Sequence, residues 1–175
     1  MNNNDNLDKF TEAYSKLGSE ETHSRTLTVT DIIDIHNRMI DIYGGSYGIR
    51  DNSLLESICV APNQNIFGYE PYPTIYEKAS KYLFDFANYQ AFIDGNKRTG
   101  LAVCSALLSI NGFDLNLSST QAYILVLDIA NHRYKDSSEV SEIIKNNIVF
   151  KKDYLSDPEL KSVEPEIEED EDIDI

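Results

Sequence analysis

The chain has 175 residues, which suits one domain with a hydrophobic core, and its net charge is −15. Residues 153–175 contribute −10 of that charge, so the remainder is only mildly acidic and lacks the basic surface that direct nucleic-acid binding requires. No apolar run could span a bilayer, and the polar start at residues 1–5 is not typical of a signal peptide. We therefore expect a soluble, cytoplasmic protein without membrane or direct nucleic-acid partners.

The distribution of polar and charged residues divides the chain into three regions. Residues 1–26 form a polar N-terminal appendage, residues 27–150 the folded domain, and residues 151–175 an acidic C-terminal tail. Because a block of like charge repels itself, we expect the tail to be disordered, serving either solubility or protein interaction. Cys59 and Cys104 lie among apolar residues on predicted helices and outside any CxxC pair, which indicates two buried, reduced thiols.

Six helices are predicted from apolar periodicity and capping residues. The first is expected to begin at Thr30 or Asp31 and to stop at Gly44, because glycine commonly ends a helix. The second is capped by Asp51 or Asn52 and ends before residue 62. Residues 63–72 lack helical periodicity, and their turn residues and aromatics predict a small β-hairpin or an ordered loop.

The remaining four helices have clear start signals. Thr74 with Glu77, and Ser118 with Gln121, have the spacing of capping boxes, in which two side chains and two backbone N–H groups pair reciprocally. The four helices are expected over residues 74–89, 96–111, 118–130 and 137–146. The predicted fold class is all-α, with one small hairpin.

The segment with the clearest chemical character spans residues 90–100, QAFIDGNKRTG, between the third and fourth helices. Gly95 and Asn96 open the fourth helix, so backbone N–H groups and the positive end of the helix dipole form an anion site. Lys97 and Arg98 add donors suited to phosphate oxygens, and Asp94 is an oxygen ligand suited to Mg²⁺. An ordinary helix start with two solvated bases is the alternative interpretation.

This segment resembles the Fic motif, His-x-Phe-x-(Asp/Glu)-Gly-Asn-Gly-Arg-x-x-Arg. It is closer to the Doc (death-on-curing) branch of that family, whose motif ends Asn-Lys-Arg-Thr, as residues 96–99 do here. The resemblance covers roughly residues 27–150. Its flanking elements are Tyr-Gly-Gly and Gly-Ile-Arg-Asp within residues 43–51, Leu-Leu-Glu at 54–56, Tyr-Pro-Thr at 72–74, Glu-Lys-Ala at 77–79 and Asn-Gly-Phe at 111–113.

The resemblance implies a compact bundle of about six helices with a hairpin flap. It also implies a toxin that transfers a phosphate from a nucleoside triphosphate, ATP, to a hydroxyl of a target protein, with elongation factor Tu as the expected target. The residues carried over by position are Asp94 for Mg²⁺, then Gly95, Asn96, Lys97 and Arg98 for the phosphates. Asn65, Ile66, Phe67 and Gly68 would form the flap that docks the target.

Three departures from the Fic motif affect the expected chemistry. Gln90 stands at the position of the catalytic His, so we expect a folded but strongly impaired enzyme, whether the Gln is natural or introduced. Lys97 replaces the second Gly and Leu101 replaces the final Arg; both are Doc-like and favour phosphate transfer over AMP transfer. The alternatives are a Fic-like AMP transferase and a natural pseudoenzyme that binds nucleotide or protein without catalysis.

A built-in inhibitory helix is not expected. Many Fic proteins carry (Ser/Thr)-x-x-x-Glu-(Gly/Asn), whose Glu pairs with the final Arg of the motif. Here Ser138 and Glu142 have the spacing of this motif, but Ile143 stands where the motif requires Gly or Asn. Leu101 also replaces the final Arg of the Fic motif. The resemblance therefore implies a separate antitoxin protein.

Overall fold

The computed structural model describes residues 24–151, so most of the predicted appendage and the predicted acidic tail lie outside the described residues. Within that range the chain forms six α-helices, one 3₁₀ turn and two short strands, and the predicted all-α class is confirmed. No helix in residues 24–151 is long and apolar enough to cross a lipid bilayer. The elements are α1 (Val29–Tyr43), α2 (Asn52–Val60), a 3₁₀ turn (Ala61–Asn63), α3 (Ile75–Asn88), α4 (Asn96–Ile110), β1 (Phe113–Leu115), α5 (Ser119–Ala130), α6 (Ser137–Asn146) and β2 (Ile148–Phe150).

Capping side chains set where the helices begin. The predicted boxes at 74–77 and 118–121 are confirmed. The predicted start of α1 at Thr30 or Asp31 is wrong, because Thr28 is the cap and Asp31 is its partner in a third capping box. The Thr28 hydroxyl accepts from the Asp31 N–H at 3.2 Å, and the Asp31 carboxylate accepts from the Thr28 N–H at 2.8 Å. The helix therefore begins at Val29.

The core is built around α3, which packs against α4, α5 and α6. Tyr82, Leu83 and Phe86 of α3 are fully buried. Gly100 of α4 faces them closely, since a Cβ atom there would lie 2.9 Å from the Phe86 Cβ and 3.3 Å from the Leu83 carbonyl oxygen. This contact between α3 and α4 matters for function because the segment between the two helices carries the predicted anion site.

The predicted hairpin within residues 63–72 is present in minimal form. Ile66 and Tyr69 pair as a single antiparallel bridge around Phe67 and Gly68, which both have positive φ, 52° and 88°. Positive φ at both central residues is the pattern of a type I′ turn. The Asn65 side chain accepts from the Gly68 N–H at 2.7 Å and supports the turn. The Phe67 side chain is fully exposed at the tip.

The strand pair was not predicted. β1 runs antiparallel to β2, with Phe113 opposite Phe150 and Leu115 opposite Ile148. The two strands are three residues each and lie 35 residues apart in sequence, so no local turn signal marks the pairing. The strand pair joins the two ends of the segment that contains α5 and α6.

Both ends of the described chain meet the turn that follows α4. The Asn111 side chain accepts from the Arg25 N–H and donates to the Arg25 carbonyl, each at 2.9 Å. The Lys151 N–H donates to the Gly112 carbonyl at 3.0 Å. The two ends of the described domain are therefore held side by side, at the end of α4 remote from its start at Asn96.

Candidate functional site

The loop at residues 90–95 is held in place by backbone hydrogen bonds to the loop that follows α1. The Arg50 N–H donates to the Ala91 carbonyl at 2.8 Å, and the Ile93 N–H donates to the Gly48 carbonyl at 2.9 Å. Phe92 is fully buried and anchors the loop in the core. Two segments about forty residues apart therefore form one small platform.

The side chain of Asn96 fixes the shape of this loop from inside. Its Oδ1 accepts from the Phe92 N–H at 2.8 Å, and its Nδ2 donates to the Phe92 carbonyl at 2.9 Å. These two bonds use the Oδ1 and one Nδ2 hydrogen of Asn96, so a phosphate could be met only by its backbone N–H and the second Nδ2 hydrogen. The resemblance placed Asn96 among the phosphate-binding residues, and the geometry gives its side chain a structural role in shaping that site.

The start of α4 is open for an anion. Gly95 precedes the helix with φ 74°, and no side chain within the described residues caps the first turn. The N–H groups of that turn therefore remain available, at the positive end of the helix dipole. A Cβ on Gly95 would lie 3.0 Å from the Ile40 Cδ1, so glycine also permits the close approach to α1. Lys97 is exposed beside this turn, and Arg98 donates to the Gly44 carbonyl at 2.8 Å.

Asp94 is held as a carboxylate by donors from two loops. It accepts from the Gly95 N–H at 2.6 Å and from the Ser46 N–H at 3.4 Å, and it lies 3.7 Å from the Arg98 guanidinium. These contacts, led by the Gly95 N–H, lower the pKa of Asp94 below its usual value. A Cβ on Gly45 would fall 2.5 Å from the Asp94 Oδ2, so only glycine fits there.

The donor set around Asp94 fits Mg²⁺ only as an ion shared with a ligand. About half of the Asp94 side chain is exposed, and the described residues contain no group of three or more His, Cys, Asp or Glu side chains that could hold a metal. Mg²⁺ commonly binds through one or two carboxylates and completes its shell with waters and substrate phosphates. A single ionised carboxylate beside an anion site meets that requirement, whereas an all-protein metal cage is not formed.

Gln90 lies at the edge of the loop and is held by Arg50. The Arg50 Nη1 donates to the Gln90 Oε1 at 2.5 Å, and the Arg50 Nη2 donates to the Ile93 carbonyl at 3.2 Å. The Gln90 side chain is exposed, so the contact is a surface one. Residue 90 therefore has a fixed neighbour that its position in the sequence does not reveal.

His36 supports the loop from beneath. Its ring stacks on Phe92 with centroids 3.8 Å apart and 3° between the planes, and its Nδ1 shares a 3.1 Å hydrogen bond with the Thr99 hydroxyl. Burial, reinforced by the nearby Arg98, lowers the pKa of His36, which favours the neutral ring. His36 is 1% exposed, so its role here is structural.

A groove of about 790 Å³ collects the predicted catalytic, phosphate and metal residues in one place. One wall is the loop and the start of α4, with Gln90 and residues 93–98. The opposite wall is largely apolar and comes from β1, α5 and the α4 face at Leu101. The predicted docking residues 65–68 do not line this groove, since they form the separate exposed turn described above.

Sequence reasoning missed three contributors to this arrangement: Arg50, Gly45 and the pairing of Asn96 with Phe92. Arg50 and Gly45 belong to the Gly-Ile-Arg-Asp and Tyr-Gly-Gly elements, which were noted as part of a resemblance without a role for either residue. The sequence therefore contained a signal for Arg50 and Gly45. The Asn96 clamp has no such signal, because an Asn at the start of a helix fits capping and ligand binding equally well.

Two comparisons with known proteins bear on this site. A family model described as the Fic/DOC family matches residues 26–108. A protein named Toxin Doc from Mycolicibacterium smegmatis is 37% identical over 73 residues, which are 42% of this chain and 56% of that protein. The matched segment thus spans little more than half the length of this relative.

Proposed function

We propose that this chain, which belongs to the Doc branch of the Fic/DOC family, is the toxin of a toxin–antitoxin pair with a nucleoside triphosphate site in its groove. The proposed reaction moves the terminal phosphate of ATP to a hydroxyl of a target protein. The hydroxyl oxygen forms a bond to phosphorus, the bond to the nucleoside diphosphate breaks, and the hydroxyl proton leaves. Elongation factor Tu is the proposed target, in the cytoplasm.

The observation that carries this proposal is the groove at the start of α4. Its uncapped N–H groups, Lys97 and Arg98 supply positive potential and donors for phosphate oxygens, while Asp94 is the single carboxylate among the lining residues. Mg²⁺ bound there would neutralise charge on the phosphates. Phosphoryl transfer depends mainly on positioning and on charge stabilisation, which such a donor set provides.

The apolar wall of the groove supports a nucleoside as the rest of the ligand. Leu101 of α4 and Val126 of α5 border the same volume as the phosphate donors. In the AMP-transferring motif an Arg stands where this chain has Leu101, and a Gly where it has Lys97. An exposed Lys97 ammonium at the polar end therefore favours an orientation in which the terminal phosphate lies close to the position of residue 90.

Gln90 is proposed to impair this reaction without removing the site. A carboxamide is far too weakly basic to take the proton of the target hydroxyl, and its oxygen already accepts from Arg50. General base catalysis typically contributes about 10²–10⁴-fold. Because a dissociative transition state depends less on the base, we expect the loss to lie toward the low end of that range.

Two partners complete the proposal. The exposed turn at residues 65–68, with Phe67 at its tip, is proposed to dock the backbone of the target by adding a strand. Control by a separate antitoxin is proposed because Leu101 removes the arginine with which an internal inhibitory Glu would pair. Truncation of residues 1–23 and 153–175 in a Gln90→His background tests this part, and a sharp rise in activity would show internal inhibition instead.

The central experiment compares the present chain with Gln90→His and Gln90→Ala. Transfer of radiolabel from γ-labelled ATP to elongation factor Tu should be restored by Gln90→His and remain low in Gln90→Ala. Asp94→Asn in the Gln90→His background is the matched control, since it removes the carboxylate while preserving shape. Equal transfer by the present chain and Gln90→His would refute the assigned role of residue 90.

A further inference from the structure

The pair formed by Arg50 and Gln90 joins the loop after α1 to the loop before α4. Arg50 contacts the second loop at three points: its N–H meets the Ala91 carbonyl, Nη1 meets the Gln90 side chain and Nη2 meets the Ile93 carbonyl. A planar guanidinium held at two of its nitrogens has little freedom to turn. The direction from which it approaches Gln90 is therefore set by the fold.

That direction determines which end of the Gln90 amide is free. A guanidinium carries only donors, so Gln90 must turn its Oε1 toward Arg50. The Nε2 group, with two N–H donors, then lies on the opposite branch of the amide. Gln90 lines the groove, and within the described residues its Nε2 donates to no protein acceptor.

We infer that Arg50 is a positioning residue that makes Gln90 a hydrogen-bond donor for a phosphate oxygen in the groove. This inference rests on the proposed nucleotide site and adds a ligand to it at the position where a proton acceptor is otherwise expected. The other groups at this end, Lys97, Arg98 and the first N–H groups of α4, are also donors. A ligand rich in acceptors, as a polyphosphate is, satisfies all of them together.

The test follows the side-chain amide of Gln90 by ¹H–¹⁵N NMR in the full chain, with inorganic pyrophosphate as the probe. The Gln90 amide signal is assigned from its loss in Gln90→Met, a substitution of similar length without the donor. Pyrophosphate should shift this signal saturably. Gln90→Met and Arg50→Met should each weaken binding roughly tenfold, the scale of a hydrogen bond to a charged group.

A double-mutant cycle separates positioning from direct contact. If Arg50 acts through Gln90, the combined variant Arg50→Met with Gln90→Met should bind pyrophosphate no more weakly than Gln90→Met alone. Arg38→Met is the matched control, because Arg38 is exposed on α1 outside the groove and its loss should leave binding unchanged. Urea unfolding of each variant verifies that the fold is retained.

Three results would overturn the inference: no binding of pyrophosphate, an unshifted Gln90 amide at saturation, or a further loss in the double variant equal to that of Arg50→Met alone. The last would mean that Arg50 contacts the anion itself. These outcomes are distinct from failure of the proposed reaction. A Gln90→His chain that transfers no phosphate would refute the reaction, yet a saturable shift of the Gln90 amide in the present chain would still support the inference.

Discussion

Asn96 offers a direct test of how the site is held together. Replacing it with Ala removes both hydrogen bonds to Phe92, at 2.8 and 2.9 Å, and leaves a backbone N–H and a backbone carbonyl without partners. Phe92 is fully buried, so water cannot easily replace the lost partners. An unsatisfied buried polar group costs about 1–3 kcal/mol, and we therefore expect Asn96→Ala to lower the free energy of unfolding by about 3 kcal/mol.

Asn96→Asp removes only one of the two hydrogen bonds to Phe92 and so separates their contributions to stability. The new carboxylate still accepts from the Phe92 N–H but places a second acceptor against the Phe92 carbonyl, so one hydrogen bond is lost. A negative charge in the first turn of α4 recovers about 0.5 kcal/mol from the helix dipole. The expected loss is about 1–2 kcal/mol, clearly smaller than that of Asn96→Ala.

Urea unfolding followed by far-ultraviolet circular dichroism measures both losses, since the chain contains no Trp for fluorescence. Asn147→Ala is the matched control, because Asn147 makes one side-chain hydrogen bond, to the Ile143 carbonyl, and does not line the groove. It should cost about 1 kcal/mol. The reasoning fails if Asn96→Ala stays within 0.5 kcal/mol of the parent, or if Asn96→Asp and Asn96→Ala are equally destabilised.

Three further predictions concern packing and ionisation. Gly100→Ala should destabilise the fold by about 1–2 kcal/mol in the same assay. The strain of overpacking against Phe86 should exceed the gain in helix propensity, which is about 1 kcal/mol. A stabilised variant would show that α3 and α4 separate easily. Asp94, with its lowered pKa, should contribute stability that is present above pH 3.8 and lost only as the pH falls through its lower folded value, which a ¹³C titration of its carboxyl would locate. Burial raises the pKa of Cys59 to about 11 and of Cys104 to about 12, so neither should react with Ellman's reagent at pH 8 until urea unfolds the chain.

The helices could be predicted from sequence because their signals are local. The sixth predicted helix, 137–146, matches α6 at both ends, and the glycine stop of α1 lies at Gly44 as expected. The start of α1 was misplaced because Thr28 and Thr30 are both good caps, and only the position of Asp31 relative to Thr28 completes the reciprocal pair. Local propensity identifies residues that can cap a helix, but it does not decide between two such residues that lie close together in the sequence.

The candidate site was predictable in composition but not in arrangement. Residues 90–98 are contiguous, so their clustering around the start of α4 follows from the motif itself. The contacts that orient them come from a segment about forty residues earlier, as with Arg50 on Gln90 and Ser46 on Asp94. Such long-range pairs depend on how α1 packs against α4, which the sequence pattern of either helix alone does not specify.

The common anchorage of Arg25 and Lys151 has a practical consequence for engineering this domain. Both residues are bound at the turn formed by Asn111 and Gly112, and the 15 residues of α4 place that turn about 20 Å from the anion site. Joining the two ends with a short linker would therefore require little strain. A circular permutant opened at the exposed tip beside Phe67 should retain the groove, while reporters attached at Arg25 or Lys151 would lie well away from the start of α4.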